Sequence, residues 1–116
     1  MRSRLLVCCG LLLVVEAVTV TAYCGLLFGC GCTFMDGMAY CNVHDLQGPW
    51  CPWCSQGMLG FYIPFAVMTG GAVTGAWWGL RHRSSLWGGL LAGVVGYLSA
   101  GAVAAWISAR IQSYPL

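Results

Sequence analysis

Three long apolar runs, Leu5 to about Phe28, Met58 to Leu80 and Leu86 to Ala109, carry a single charged side chain among them, Glu16. A helix needs roughly 20 apolar residues to cross the hydrocarbon of a bilayer, and in that solvent the backbone must satisfy its own hydrogen bonds. Each run is long enough, so the sequence predicts an all-α integral membrane protein with three transmembrane helices. Composition agrees: 59% of the 116 residues are hydrophobic and 7% are charged, where a soluble domain carries about 25% charge. The formal net charge of +2 is too small to point to nucleic acid. The expected partners are the lipid bilayer and other membrane subunits.

The amino end, Arg2 and Arg4 followed by apolar residues, has the order of a signal peptide. A signal peptide has an apolar core of ~7 to 15 residues and then an A-x-A-like site. Here the run is longer, and Thr21-Ala22-Tyr23-Cys24 fits neither that site nor a lipoprotein box, so the first run is expected to stay as a helix. Basic residues collect on the cytoplasmic side of a membrane. Arg2 and Arg4 precede the first run, Arg81 and Arg83 lie in the turn between the second and third, and the first loop has no Lys or Arg. Only Arg110 follows the third run. The expectation is a protein of an inner or cytoplasmic membrane, amino terminus in the cytoplasm, first loop extracytoplasmic. The chain then divides into a first transmembrane helix (1–29), a Cys/His-rich extracytoplasmic cap (30–57) and a transmembrane hairpin with a short tail (58–116).

The cap holds the unusual chemistry. From Cys30 to Cys54 the chain places five cysteines and a histidine within 25 residues, at the spacing C-x-C-x8-C-x2-H-x6-C-x2-C. An x2 gap lets a turn point two side chains at one ion, so Cys41 with His44 and Cys51 with Cys54 form two chelating pairs, as in a zinc knuckle. Gly48-Pro49 supplies the reversal between them. Zinc takes such a set of three cysteines and one histidine as a tetrahedron, and Cys30 and Cys32 are left for a second ion or for an iron–sulfur cluster in which His replaces one Cys. The candidate ligands are Cys30, Cys32, Cys41, His44, Cys51 and Cys54. Two other chemistries remain open. With Cys24 the count is an even six, which suits a disulfide framework on an outward-facing loop. Cys51-Pro52-Trp53-Cys54 also has the C-x-x-C form of thiol–disulfide oxidoreductases, although no βαβ pattern surrounds it. Its place before the second span is similar to that of the thiol pairs of quinone-linked membrane thiol oxidases.

Other residues weigh on function less. Glu16 in mid-span is either a proton or cation site or a carboxyl bonded to a hydroxyl such as Thr69, Thr74 or Ser99, and the latter is the simpler reading. Cys8 and Cys9, vicinal in the first of three spans, resemble the mercuric-ion transporters in those two residues, the span count and the chain size. The resemblance implies soft-metal transport through Cys8, Cys9 and Glu16, but the dense outward cysteine set departs from that pattern, and two small buried hydrophobes are the plainer reading. Gly71, Gly75 and Gly79 on the second run, and Gly89 and Gly93 on the third with Ala92, Gly96 and Ala100 one step round, form ridges for close helix contact and leave Gly-rich surface for neighbouring subunits. Pro64 either kinks the second helix or sits in its outer turns. His82 reads as a headgroup-level side chain. Trp50 and Trp53, like Trp77, Trp78, Trp87 and Trp106, read as interface anchors. The functional expectation is a small accessory subunit of a larger membrane complex, in electron transfer if the cap holds iron–sulfur. Its alternatives are a thiol–disulfide oxidoreductase using Cys51 and Cys54, and a soft-metal ion transporter.

Overall fold

A computed structural model of the chain describes residues 1–32, 41–42, 46–47 and 49–116. Helices account for most of them: α1 (Arg2–Phe28), α2 (Gly57–Arg83) and α3 (Leu86–Ile111). All three are long and apolar enough to cross a membrane. Each runs past the apolar stretch that predicts it, α1 taking in Arg2 and Arg4 and α2 continuing through Arg81, His82 and Arg83. Basic side chains in a last turn complement the carbonyl end of a helix. They also leave the apolar stretch itself undisturbed.

The helix ends are set by local chemistry. Gly29 adopts the left-handed conformation (φ 60°, ψ 28°) and its N–H returns to the Gly25 carbonyl, which stops α1. Ser84 (φ 52°) ends α2, and the Ser85 hydroxyl accepts from the Gly88 N–H at 2.9 Å to start α3. A two-residue turn makes α2 and α3 an antiparallel hairpin. The Arg4 guanidinium donates to the Ser84 carbonyl at 2.6 Å, so α1 begins where the hairpin turns. Arg2, Arg4, Arg81 and Arg83 therefore gather at one end of the bundle, and the cysteine loop sits at the other.

Two glycine ridges on α3 organise the packing. Gly88, Ala92 and Gly96 meet Gly79, Gly75 and Gly71 of α2 backbone to backbone: a Cβ at Gly75 would land on the Ala92 carbonyl, and one at Gly96 on the Gly71 carbonyl. The second ridge seats other side chains. Gly89 lies under Leu80 and the Cys8 sulfur, Gly93 under Leu12, and Gly101 under Tyr23. Of the expected α3 surface, Gly93 thus receives α1 and Gly89 receives Cys8 of α1 with Leu80 of α2, while Ala92, Gly96 and Ala100, one step round, meet α2 together with Gly88. The small surface beyond one seam has a use inside the chain. On its side α1 buries every fourth residue, Cys8, Leu12, Glu16, Val20, Cys24 and Phe28, which is the repeat of one helix face. Large apolar side chains such as Leu6, Leu26, Leu91 and Val103 point outward. Pro64 is inside α2 and buried, and its missing N–H leaves the Gly60 carbonyl without the usual donor.

Trp77, Trp78, Trp87 and Trp106 are exposed toward the helix ends, with Arg81 over Trp77 at 5.3 Å and Arg110 over Trp106 at 5.4 Å. Trp53 departs from the interface-anchor expectation. It is 1% exposed, because Phe28 packs edge-on against it at 5.2 Å and its indole N–H reaches the Ser108 hydroxyl at 3.3 Å.

Gly75→Leu forces α2 and α3 apart and is expected to destabilise the protein by about 2 kcal/mol or more, given that overpacking costs ~1 to 3 kcal/mol. Gly70→Ala, where a Cβ meets nothing within 4 Å, is expected to be close to neutral. Thermal unfolding of both variants in detergent checks the pair.

Candidate metal centre

The cysteine site is assembled on the carboxyl end of α1. Positive φ at Gly29 (60°) and Gly31 (80°) turns the chain back over the helix it has just left, so that the Cys32 carbonyl rests against Gly25. Any Cβ at Gly25 would collide with it. This brings Cys30 and Cys32 over Cys24. Asn42 then ties the loop down: its N–H donates to the Cys30 carbonyl at 3.0 Å, its amide oxygen accepts from the Cys51 N–H at 2.6 Å, and its Nδ2 donates to the Pro49 carbonyl at 2.6 Å. Cys51 and Cys54 close a turn in which the N–H groups of Cys54 and Ser55 both return to the Cys51 carbonyl, at 3.2 and 2.9 Å.

The chain's far end braces this cap. The Tyr114 hydroxyl donates to the Phe28 carbonyl at 2.7 Å, and Gln112 Nε2 donates to the Pro52 carbonyl at 3.0 Å while its Oε1 accepts from Ser55 at 3.2 Å. Tyr114 also lies edge-on to Phe28. The cap is therefore held by the tips of α1 and α3.

Six sulfurs meet inside it. Cys24, Cys30 and Cys51 form one group, Cys30, Cys32 and Cys41 a second, and Cys41, Cys51 and Cys54 a third, the ligand atoms of each lying within 4.8 Å of one another. Cys24 is 3.4 Å from Cys51 and 3.7 Å from Cys30, sulfur to sulfur. Cys8, Cys9, Cys24, Cys30, Cys32, Cys51 and Cys54 are free thiols. Five of the six in the cage are buried and Cys54 is half-buried. A tetrahedral ion with metal–sulfur bonds of about 2.3 Å has sulfur–sulfur edges of about 3.8 Å, so several of these groups are close enough to hold a metal ion. The donors are soft thiols, which suit zinc, cuprous ion or iron–sulfur and not calcium or magnesium.

The thiols differ in acidity. Hydrogen bonds from Cys24 and then Cys51 push Cys54 down to about 5, against the opposing effect of burial. Bonds from Cys24 and Cys30 lower Cys51 as well. Burial, followed by the neighbouring Cys30, pushes Cys32 well above an ordinary thiol. The cage thus sets acidified thiols beside a thiol that holds its proton more tightly.

Of the ligands expected from sequence, Cys30, Cys32, Cys41, Cys51 and Cys54 lie together. His44, and Gly48 of the expected reversal, lie outside the described residues. Cys24 joins the group although it belongs to α1. Its signal was present in the even count of six, but its place in an apolar run concealed it as a ligand candidate. Asn42, Tyr114, Gln112 and Ser108 carry no motif; the role of Asn42 arises when the loop folds on itself, and that of the other three only when α3 returns to the cap. Cys8 and Cys9 are at the opposite end of α1, Cys8 buried with its sulfur 3.9 Å from the Leu86 carbonyl. Glu16, 1% exposed, has Oε2 2.7 Å from the Thr69 hydroxyl, and its Oε1 has no partner among the described residues. Thr74 instead donates to the Gly70 carbonyl of its own helix, and Ser99 is exposed.

Comparison with protein-family models, with curated proteins and with solved structures finds no match. The class therefore rests on the chain itself: three helices fit to span a bilayer, joined at one end by a thiol cage.

In reduced, metal-free protein, a depressed thiol stays ionised above its own value and is silenced only below it. Iodoacetamide is expected to label Cys54 at neutral pH, with labelling falling away as the pH drops through about 5. Cys32 should stay unlabelled through the neutral range. Peptide mass mapping across pH checks the order.

Proposed function

We propose that this protein is a small accessory subunit of a larger membrane complex, with its amino terminus in the cytoplasm and a resident metal centre in an extracytoplasmic cap. The observation that carries this reading is the cage of six sulfurs, crowded at metal–thiolate spacing in a buried space. Crowded, buried thiolates repel one another unless a cation lies between them. A structural zinc held by four of the cysteines would fold the cap outright. An iron–sulfur centre would make it an electron relay. Burial of five of the six sulfurs favours a supporting part over an enzyme that must admit a substrate to them.

A second reading has one observation in its favour. Cys51, the first cysteine of the C-x-x-C, and Cys54 both lie below an ordinary thiol through bonds to neighbouring cysteines, and a lowered first cysteine is what a thiol–disulfide oxidoreductase requires of a reactive pair. The two readings part at Cys51. For the metal-centre subunit, Cys51→Ser is expected to reduce bound metal in the purified protein and lower its unfolding temperature together. For the oxidoreductase, the same change stops thiol exchange and leaves fold and metal content as they were. Metal analysis with thiol counting on the wild-type protein tests the first reading directly: less than one ion per chain, with oxidised cysteines, contradicts it. Co-purification of other subunits in gentle detergent tests the assembly, and a stable solitary monomer contradicts it.

A further inference from the structure

The three sulfur groups are joined at their corners. Cys30 belongs to the first and second, Cys41 to the second and third, Cys51 to the first and third. It follows that Cys30, Cys41 and Cys51 also lie within 4.8 Å of one another, with Cys24, Cys32 and Cys54 placed around that central triangle. Further contact between Cys24 and Cys54 draws the outer sulfurs together. Because the groups share corners, the six sulfurs form one connected set.

We infer that the cage holds a polynuclear thiolate-bridged cluster of cuprous ions, with Cys30, Cys41 and Cys51 bridging and Cys24, Cys32 and Cys54 as outer ligands. This inference rests on the metal-centre reading above and goes beyond it in nuclearity and in ion. One tetrahedral ion uses four sulfurs and strands two buried thiols. Ions seated on three-sulfur faces use all six. A planar three-coordinate ion with bonds of about 2.3 Å spans sulfurs about 4 Å apart, within the observed limit of 4.8 Å. Three-coordination by thiolate is normal for the soft monovalent cuprous ion, whereas zinc completes a tetrahedron. Asn42 Oδ1 lies 3.8 Å from the Cys41 sulfur and already accepts from the Cys51 N–H. Among the described residues, the groups able to hold an ion are made of cysteine sulfur alone. Phe28 and Trp53 belong to the same buried cluster as five of the six sulfurs, with Cys54 packed against it, and burial of this kind slows the stripping or oxidation of such a cluster. Binding needs no redox step: each thiol that becomes a ligand releases its proton to solvent, and copper enters and stays as the monovalent ion.

The test is titration of the reduced full-length protein in detergent, under argon, with an acetonitrile-stabilised cuprous salt, and in parallel with zinc. More than one copper per chain is expected, with the visible emission of a solvent-shielded cuprous–thiolate cluster and protection of all six thiols from alkylation. Cys30→Ser, at a bridging position, is expected to lose more copper than Cys32→Ser at an outer one. Saturation at one ion with two thiols still open to alkylation overturns the cluster and leaves the metal-centre reading standing. Two tightly held zinc ions without an emissive copper form overturn the choice of ion. No binding of either metal, with thiols pairing as disulfides, overturns both readings. The wild-type titration decides the question even where a variant fails to fold.

Discussion

Contact between sulfurs is the interaction on which the cap depends. A short loop set on helix tips has too few apolar side chains to fold by burial alone, and small units of this kind are normally stapled by disulfides or a metal. Here the sulfurs come from four places: the last turns of α1, the residues just after it, Cys41 in the middle of the loop, and the turn before α2. Whatever joins them joins the helices that carry them. The proposed cation supplies the attraction that six neighbouring thiols lack.

The helices in turn present those sulfurs at fixed positions. Lipid gives apolar helices little reason to associate, so close backbone approach must do it. Gly71, Gly75 and Gly79 against Gly88, Ala92 and Gly96 let α2 and α3 meet without side chains between them. The second ridge of α3 then seats Leu12 and Tyr23 of α1. That contact fixes α1 along its length, from Cys8 at one end to Cys24 at the other. Asn42, Tyr114 and Gln112 transfer this rigidity to the cap, since each bonds backbone or side chains that flank a cysteine.

The three spans were legible in the sequence because apolar length and the near absence of charge are local properties. Their ends were less so: Arg81 to Arg83 read as a turn, yet basic side chains favour the last turn of a helix and α2 keeps them. The clustering of Cys30, Cys32, Cys41, Cys51 and Cys54 could be anticipated from spacing. Cys24 could not be assigned to it, because its distance from Cys51 depends on how the loop folds back over Gly25. Trp53 read as a surface anchor because indoles favour membrane interfaces. Its burial depends on Phe28 and Ser108, far away in the chain. Of the hydroxyls near Glu16, composition offered several and packing selected Thr69.

The account stands most directly on what each cap sulfur is bonded to. Sulfur K-edge X-ray absorption of the protein as purified, before any reductant or metal is added, reports this without disturbing the cage. Once the thioether signal of the five methionines is subtracted, the account predicts metal-bound thiolate as the main form of the cysteine sulfur. Disulfide as the main form, unchanged when metal chelators are added, would contradict it.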